Sequence, residues 1–391
     1  MVLVLALAFA GYRRSFVQKH WPVWARFFFL TGMEFILLGL ALGESFIGLL
    51  DRETVGRLGP LFSLGLGYFG LILGLQFEYR KLRQFPLRFM TASVLQAVTA
   101  FAVVFAVFGL LLFLIRSLAF AALFTLSAVA CCSSPALAAL LAQKWGAAKS
   151  RTMELVRYIA GFDSVIGLTL LGVAACFTSA APYLATAFLP PFFQWLALSI
   201  LLGGAIGSII HLLTRHCTQG ELWVFTIGSI TFGGGASLYF GLSPLFINMV
   251  AGIAAANLPG SKDRVFMALF SQEKPFYIVF LTLAGALWQP ASMTTLYLAI
   301  VYMLSRIIGK LAGGFLAARV AGKGSAFTPW VGAGLISQGG IAVAMAVEIY
   351  LSQSSWGSSV ASFLITAVII NEVASPAMAA KLAPEPGKGE T

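Results

Sequence analysis

Charge is what this chain has least of. Only 10% of its 391 residues are Asp, Glu, Lys or Arg, against 59% hydrophobic residues, and the mean hydropathy is +0.92. That is too little charge to cover a soluble globule of this size, so a soluble enzyme or binding domain is excluded and a polytopic membrane protein is indicated. Cysteine and histidine are equally scarce. Cys131, Cys132, Cys176 and Cys217 form no CxxC, and His20, His211 and His216 stand at no ligand-like spacing from them, which argues against a disulfide framework or a resident metal. No Walker-type loop, zinc motif or nucleophile motif occurs, so an enzymatic or ATP-driven reading has no residues to carry it and no organic cofactor is implied. Long polar linkers and low-complexity tracts are missing too, and residues 1–391 read as a single membrane domain. The net charge of +11 is scattered over short connections instead of forming a patch, so nucleic acid is not an expected partner.

What is abundant is apolar sequence in lengths that cross about 30 Å of hydrocarbon. Such segments fall at 1–12, 27–43, 59–77, 86–113, 117–143, 153–176, 188–213, 221–240, 242–257, 275–289, 293–318, 327–351 and 357–381. Backbone groups in lipid must be satisfied internally, so these predict an all-α protein of about 13 transmembrane helices, the first, ninth and tenth being short. The first covers only about 15 to 18 Å as a helix. It reads as a half-length helix or as the remainder of a longer one, and because its charges follow the apolar stretch it is an N-out span and not a signal peptide.

Charge distribution supports this parsing. The odd-numbered connections, the adjoining span ends and the tail hold 20 of the 25 Lys and Arg, whereas the alternate connections hold only Arg52, Arg57 and Arg116. Basic residues collect on the cytoplasmic side, so the N-terminus is expected outside and the C-terminus inside, in a plasma membrane such as the bacterial inner membrane.

Two spans are interrupted by residues that an intact helix would not need. "SAVACCSSPALAALL" in the fifth and "GAGLISQGGIAVAMA" in the twelfth place small and polar residues, with Pro135 in one and Gly339 and Gly340 in the other, at mid-membrane. Their offset of seven spans reverses orientation, the signature of inverted repeats in secondary transporters. Two interrupted helices meeting at the midplane would present partial charges of both signs around one site.

Within this setting "RYIAGFDSVIGLTLLG" carries Asp163 near mid-span, where an ionised carboxylate costs about 2.5 to 3.5 kcal/mol. The basic residues at comparable depth are Arg306 and Lys310, four apart and so on one helical face. Lys310 is the expected counter-charge, because a buried ammonium can give up its proton whereas a guanidinium keeps its charge. Such a pair can hold a proton, a cation or its own ion pair, each state excluding the others; a purely structural salt bridge is the alternative. Glu34 and Glu372 fall in the cytoplasmic thirds of their spans, Glu348 near the outer end of the twelfth, and Glu44 in a connection. Glu372 is read as a structural acid, and the partner of Arg306 stays open between Glu372 and the site of Asp163.

The segments "TGMEFILLGLALGES", "GLILGLQFEYRKLRQFP", "CCSSPALAALL", "GFDSVIGL", "INMVAGIAAANLP", "SRIIGKLAGGFLAARV", "GLISQGGIAVAMA" and "NEVASPAMAAKLA", in this order, give the chain a resemblance to the monovalent cation/proton antiporters. It is most similar to their second large family, which includes bacterial sodium/proton exchangers and the membrane part of glutathione-gated potassium efflux systems. The resemblance implies that residues 86–177 and 293–383 form a moving core bundle. Residues 1–85 and 221–290 would form an interface bundle through which members dimerise within the lipid, and 187–214 a linking helix. It implies alternating-access exchange of Na⁺, Li⁺ or K⁺ for H⁺. Asp163 would be the ion- and proton-binding carboxylate, with Ser164, Ser133 and Ser134 beside it, Lys310 facing it, and Arg306 close by. The crossing interruptions would lie at Ser133, Ser134 and Pro135 and at Ser337, Gln338, Gly339 and Gly340.

One position departs from the family pattern. The residue before the aspartate is usually Asp, Asn or Gln, and here it is Phe162. With one titrating carboxylate the simplest exchange is one proton for one monovalent cation, which is electroneutral. A channel, uniporter or sensor of the same fold that does not exchange stays open as an alternative. So does an anion transporter, because Arg306 and Lys310 outnumber Asp163 locally.

Overall fold

The computed structural model describes residues 31–382 except 51, 116–118, 135–136, 138–150, 177–190, 216, 260–261, 272, 291, 323–328 and 353. Among them the protein is all-helical: α1 (Glu34–Leu42), α2 (Arg52–Arg57), α3 (Gly59–Leu75), α4 (Tyr79–Leu82), α5 (Leu87–Ile115), α6 (Phe120–Cys131), α7 (Arg151–Cys176), α8 (Pro191–Thr214), α9 (Gln219–Tyr239), α10 (Pro244–Asn257), α11 (Lys262–Ser271), α12 (Glu273–Ala286), α13 (Met293–Ala321), α14 (Gly339–Leu351) and α15 (Gly357–Leu382). A 3-10 segment, Pro329–Leu335, precedes α14. The expected first span and Pro135 lie outside the described residues.

Five helices, in α5, α7, α8, α13 and α15, are long and apolar enough to cross a bilayer unaided. The shorter apolar helices are α3, α6, α10 and α14. Two of these are short because their spans are interrupted: α6 stops at Cys131 and α14 starts only at Gly339, so the helix breaks stand where the small and polar residues predict them. Three helices, α2, α4 and α11, stand where the sequence predicts connections, of which the longest is 258–274. It contains α11, whose Val265 and Leu269, four residues apart, are buried while Met267 and Phe270 stay exposed. The Leu269 carbonyl accepts a 2.5 Å hydrogen bond from the Tyr68 hydroxyl of α3, which ties α11 down.

Helix ends follow ordinary capping chemistry. Ser243 caps α10 by accepting from the Phe246 N–H at 2.9 Å, with Pro244 in the first turn, and Thr218 with Glu221 forms a capping box on α9. α5, α6, α7, α13, the 3-10 segment, α14 and α15 pack on one another, as do α1, α3, α9, α10 and α12. α8 lies mainly on α10 and α9 and also touches α7.

Packing in lipid rests on backbone proximity more than on burying apolar area, and the glycines supply that proximity. On α3, a Cβ at Gly70 or Gly74 would overlap the Leu245 or Met249 carbonyl of α10, and one at Gly252 of α10 would overlap the Leu71 carbonyl. The side chain of Gly74→Leu has no room there. It should cost about 1 to 3 kcal/mol or prevent assembly, read as a lower melting temperature of the purified protein. Gly228→Leu on α9, where an added Cβ meets nothing, should melt like the wild type.

Candidate ion-binding site

Asp163 of α7, Arg306 and Lys310 of α13 and Glu372 of α15 are all fully buried, at 0% exposure. Four ionisable side chains at that depth require partners. The Asp163 Oδ2 accepts from Lys310 Nζ at 2.7 Å and from the Ser133 hydroxyl at 2.9 Å. Its Oδ1 is equally buried and has no hydrogen-bond partner. Lys310 Nζ donates also to the Cys131 carbonyl at the end of α6 and, at 3.4 Å, to Gln96 Oε1 of α5. The ammonium therefore sits in a cage of one carboxylate and two neutral oxygens.

Arg306, one turn away, does not face this carboxylate. Its Nε donates to the Ala130 carbonyl at 3.2 Å, and its terminal nitrogens donate to the carbonyls of Cys132 and Ile336. One guanidinium thus satisfies carbonyls from both interrupted strands of backbone. Glu372 does the complementary work at the start of α14. It accepts from the Gln338 N–H at 2.7 Å, the Gly339 N–H at 3.0 Å and the Ser337 hydroxyl at 2.9 and 3.0 Å. A carboxylate at a helix N-terminus is favoured by the free N–H groups and the positive end of the dipole. Pairing of Arg306 with Glu372 is thus corrected: Arg306 takes carbonyls of both segments, Glu372 takes N–H groups at the start of α14, and among the described residues the buried salt bridge is Lys310–Asp163.

The two unwound segments touch directly, the Ser134 N–H donating to the Ser337 carbonyl at 2.8 Å. Gly339 has φ of +64°, and a Cβ there would press on Ser134, so this position needs glycine twice over. Gly340 lies against the Tyr277 ring of α12, where a Cβ would also overlap. Gln338 reaches the Tyr302 hydroxyl at 3.2 Å. Ser164 is buried but donates back to the Ala160 carbonyl at 3.2 Å, so its hydroxyl serves its own helix. Phe162 turns away from the carboxylate: it stacks on Tyr158 at 4.7 Å and meets Phe77 edge-on at 5.2 Å.

Sequence reasoning passed over Gln96, Tyr302 and Asn371, whose Nδ2 donates to the Ile336 carbonyl at 3.1 Å. Gln96 and Asn371 carry the same sequence signal as Asp163, a polar side chain inside an apolar span. No group of three or more His, Cys, Asp or Glu that could hold a metal ion occurs among the described residues. The arrangement offers one carboxylate oxygen held by an ammonium and a hydroxyl, and a second oxygen without a hydrogen-bond partner.

Two expectations follow. Lys310→Met strips the buried carboxylate of its counter-charge and should cost about 3 to 5 kcal/mol of stability, whereas Asp163→Asn combined with Lys310→Met should recover most of that loss in thermal unfolding. Arg306→Met leaves three buried carbonyls without their donor and should lower the melting temperature. Adding Glu372→Gln should lower it further, because the two side chains do not neutralise each other; a double variant as stable as the wild type would reinstate the ion pair.

The sequence profile of the family described as "Sodium/hydrogen exchanger, transmembrane" matches residues 25–379. Among solved structures, the sodium proton antiporter MjNhaP1 from Methanocaldococcus jannaschii, at pH 8, superposes with a TM-score of 0.66 over 97% of this chain and 95% of that one, at 14% sequence identity. At that identity the likeness concerns the fold. No curated protein sequence matches the chain. A profile match over most of the chain is decisive, and this integral membrane protein belongs to the sodium/hydrogen exchanger family.

Proposed function

We propose that the protein exchanges one monovalent cation, Na⁺, Li⁺ or K⁺, for one proton by alternating access, electroneutrally, with Asp163 as the shared carrier. The observation that carries this reading is the state of one carboxylate: Oδ2 engaged by Lys310 and Ser133, Oδ1 buried and unpartnered. A dehydrated cation gains a charged oxygen, with Ser133 beside it, if it displaces the ammonium.

The stoichiometry follows from charge. With the proton on Lys310 and the pair formed, the site is neutral; with the proton released and a cation on Asp163, it is neutral again. If Lys310 keeps its proton throughout and Asp163 itself alternates between proton and cation, the site carries one positive charge in both states. Either route moves one H⁺ against one cation with no change in the charge that crosses. The aromatic at Phe162 supplies no second carboxylate that would add a charge to one state. The anion reading loses its support because Arg306 spends its donors on three carbonyls.

In this reading α5, α6, α7, α13, α14 and α15 move as the core against α1, α3, α9, α10 and α12. The latter carry the homodimer contact within the lipid, and α8 links the two sets. The internal packing of each set supports that division. The chain lies in the plasma membrane with its N-terminus outside and C-terminus in the cytoplasm, a placement supported by the basic connections.

The test uses sealed vesicles with an internal pH dye and imposed Na⁺, Li⁺ or K⁺ gradients. Proton movement is expected with at least one cation, unchanged when the membrane potential is clamped, and abolished in Asp163→Asn protein that still elutes as folded. Exchange retained in Asp163→Asn, or proton flux that follows the clamped potential, would overturn the assignment of carrier or of electroneutrality respectively.

A further inference from the structure

A second carboxylate lies in a cavity that the exchange site does not use. The cavity has a volume of about 510 Å³, and its lining includes Thr125 of α6, Leu171 of α7, Trp195 of α8, Ser243 at the cap of α10, Glu348 of α14 and Ser352 just beyond it. Three helices give its position independently. Thr125 is eight residues before Ser133, Leu171 eight after Asp163 and Glu348 nine after Gly339, each a displacement of about 12 to 14 Å at 1.5 Å per residue. All three displacements point away from Arg151 at the start of α7, toward the face assigned to the outside by the basic connections. The lining comes from the α6, α7 and α14 side and from α8 and α10, so the cavity lies along the seam between the two sets of helices.

Its polar groups are arranged for a ligand. Glu348 Oε2 is buried with no hydrogen-bond partner, and so is Thr125 Oγ1. The latter is unusual here, because Thr169, Thr214, Thr226 and Thr282 all donate to the carbonyl four residues earlier. Ser243 already accepts from the Phe246 N–H, which leaves its hydroxyl proton for the Glu348 carboxylate beside it. Ser352 donates to the Ile349 carbonyl at 2.7 Å and, with Ser354 Oγ at 3.4 Å, still has an oxygen lone pair to offer. A single carboxylate with neutral hydroxyl oxygens matches the charge of a monovalent cation and leaves a divalent one under-neutralised. At about 30 Å³ per water the cavity admits an ion with much of its hydration.

We propose that Glu348, with the hydroxyls of Thr125, Ser243 and Ser352, forms a second, outer site that takes a partly hydrated monovalent cation on its way to Asp163. The position on the transport path rests on the exchange reading above; the binding itself does not. A cation arriving from outside meets one carboxylate while still hydrated and is concentrated about 12 Å short of the site where it must shed its water.

Two measurements separate these parts. The first is equilibrium binding of radiolabelled Na⁺ and Rb⁺ to purified Asp163→Asn protein, in which the central site is disabled. One saturable site is expected to remain, to vanish when Glu348→Gln is added and to weaken with Thr125→Val, all variants eluting like the parent. Binding that persists unchanged with Glu348→Gln would overturn the proposal, as would no saturable binding in the Asp163→Asn parent. The second is sided exchange in oriented vesicles with Asp163 intact. Glu348→Gln should raise the half-saturating cation concentration about tenfold at the outer face, the scale of one lost charged contact, and leave the inner value unchanged. An unchanged outer value would remove the site from the transport path even if it binds. Wild-type protein that moves no protons with any cation, yet shows the Glu348-dependent binding, would defeat the exchange reading and leave this site standing.

Discussion

A peptide segment that is not helical inside a bilayer must find partners for its own N–H and C=O groups, since lipid offers none. This protein meets that demand twice at one point. The break after α6 exposes the carbonyls of Ala130, Cys131 and Cys132, and the break before α14 exposes the N–H groups of Gln338 and Gly339. Arg306 and Lys310 take the carbonyls and Glu372 takes the N–H groups. A direct hydrogen bond from Ser134 to Ser337 then joins the two breaks. Removing the interruptions would leave these charges buried without purpose, and removing the charges would leave the interruptions unsatisfied.

That arrangement divides the basic residues into two kinds. Arg306 is committed wholly to backbone, and its planar fork suits three carbonyls that approach from different directions. Lys310 is only partly committed. It holds the Cys131 carbonyl and Gln96 as well as Asp163, so the ammonium can part from the carboxylate without leaving its pocket. A buried ion pair whose partners are bound only to each other is expensive to open. In the proposed exchange, opening it would expose one carboxylate oxygen while the lysine retained neutral acceptors, which would lower the cost of that step.

Much of this was legible in the amino-acid order. Asp163 stands out because nothing apolar explains it, Lys310 because it is a cation at matching depth, and the helix breaks because Ser-Ser-Pro and Ser-Gln-Gly-Gly have no use in an unbroken span. What was not legible is which atom each charge meets. Opposite charge alone offers Glu372 as a partner for Arg306, whereas in the fold free backbone carbonyls take the guanidinium and free N–H groups take the carboxylate. Ser164 adjoins Asp163 in sequence, yet its hydroxyl returns to the Ala160 carbonyl, the usual local competitor in a helix. The linear pattern carries no information on whether Phe162 faces the ion or the neighbouring helix; its contacts with Tyr158 and Phe77 come from helix rotation and tertiary packing.

The rotation of Phe162 bears on energetics as well as on fold. A second acid at that position, facing the ion, would add one unit of charge to the moving site, and carrying that unit across the membrane would cost or gain about 2.3 kcal/mol per 100 mV. In the electroneutral exchange we propose, the aromatic there, packed against Tyr158 and Phe77, adds no charge, so the site would load one charge in either direction and the membrane potential would cancel from the cycle. The direction of exchange is then set by the two concentration gradients alone. A transporter of this kind cannot use membrane potential to expel a cation against its gradient; it can do so only while the proton gradient exceeds the cation gradient. Under that limit, raising the local cation concentration at one face changes how fast exchange runs and how readily that face saturates, but not the ratio at which it stops.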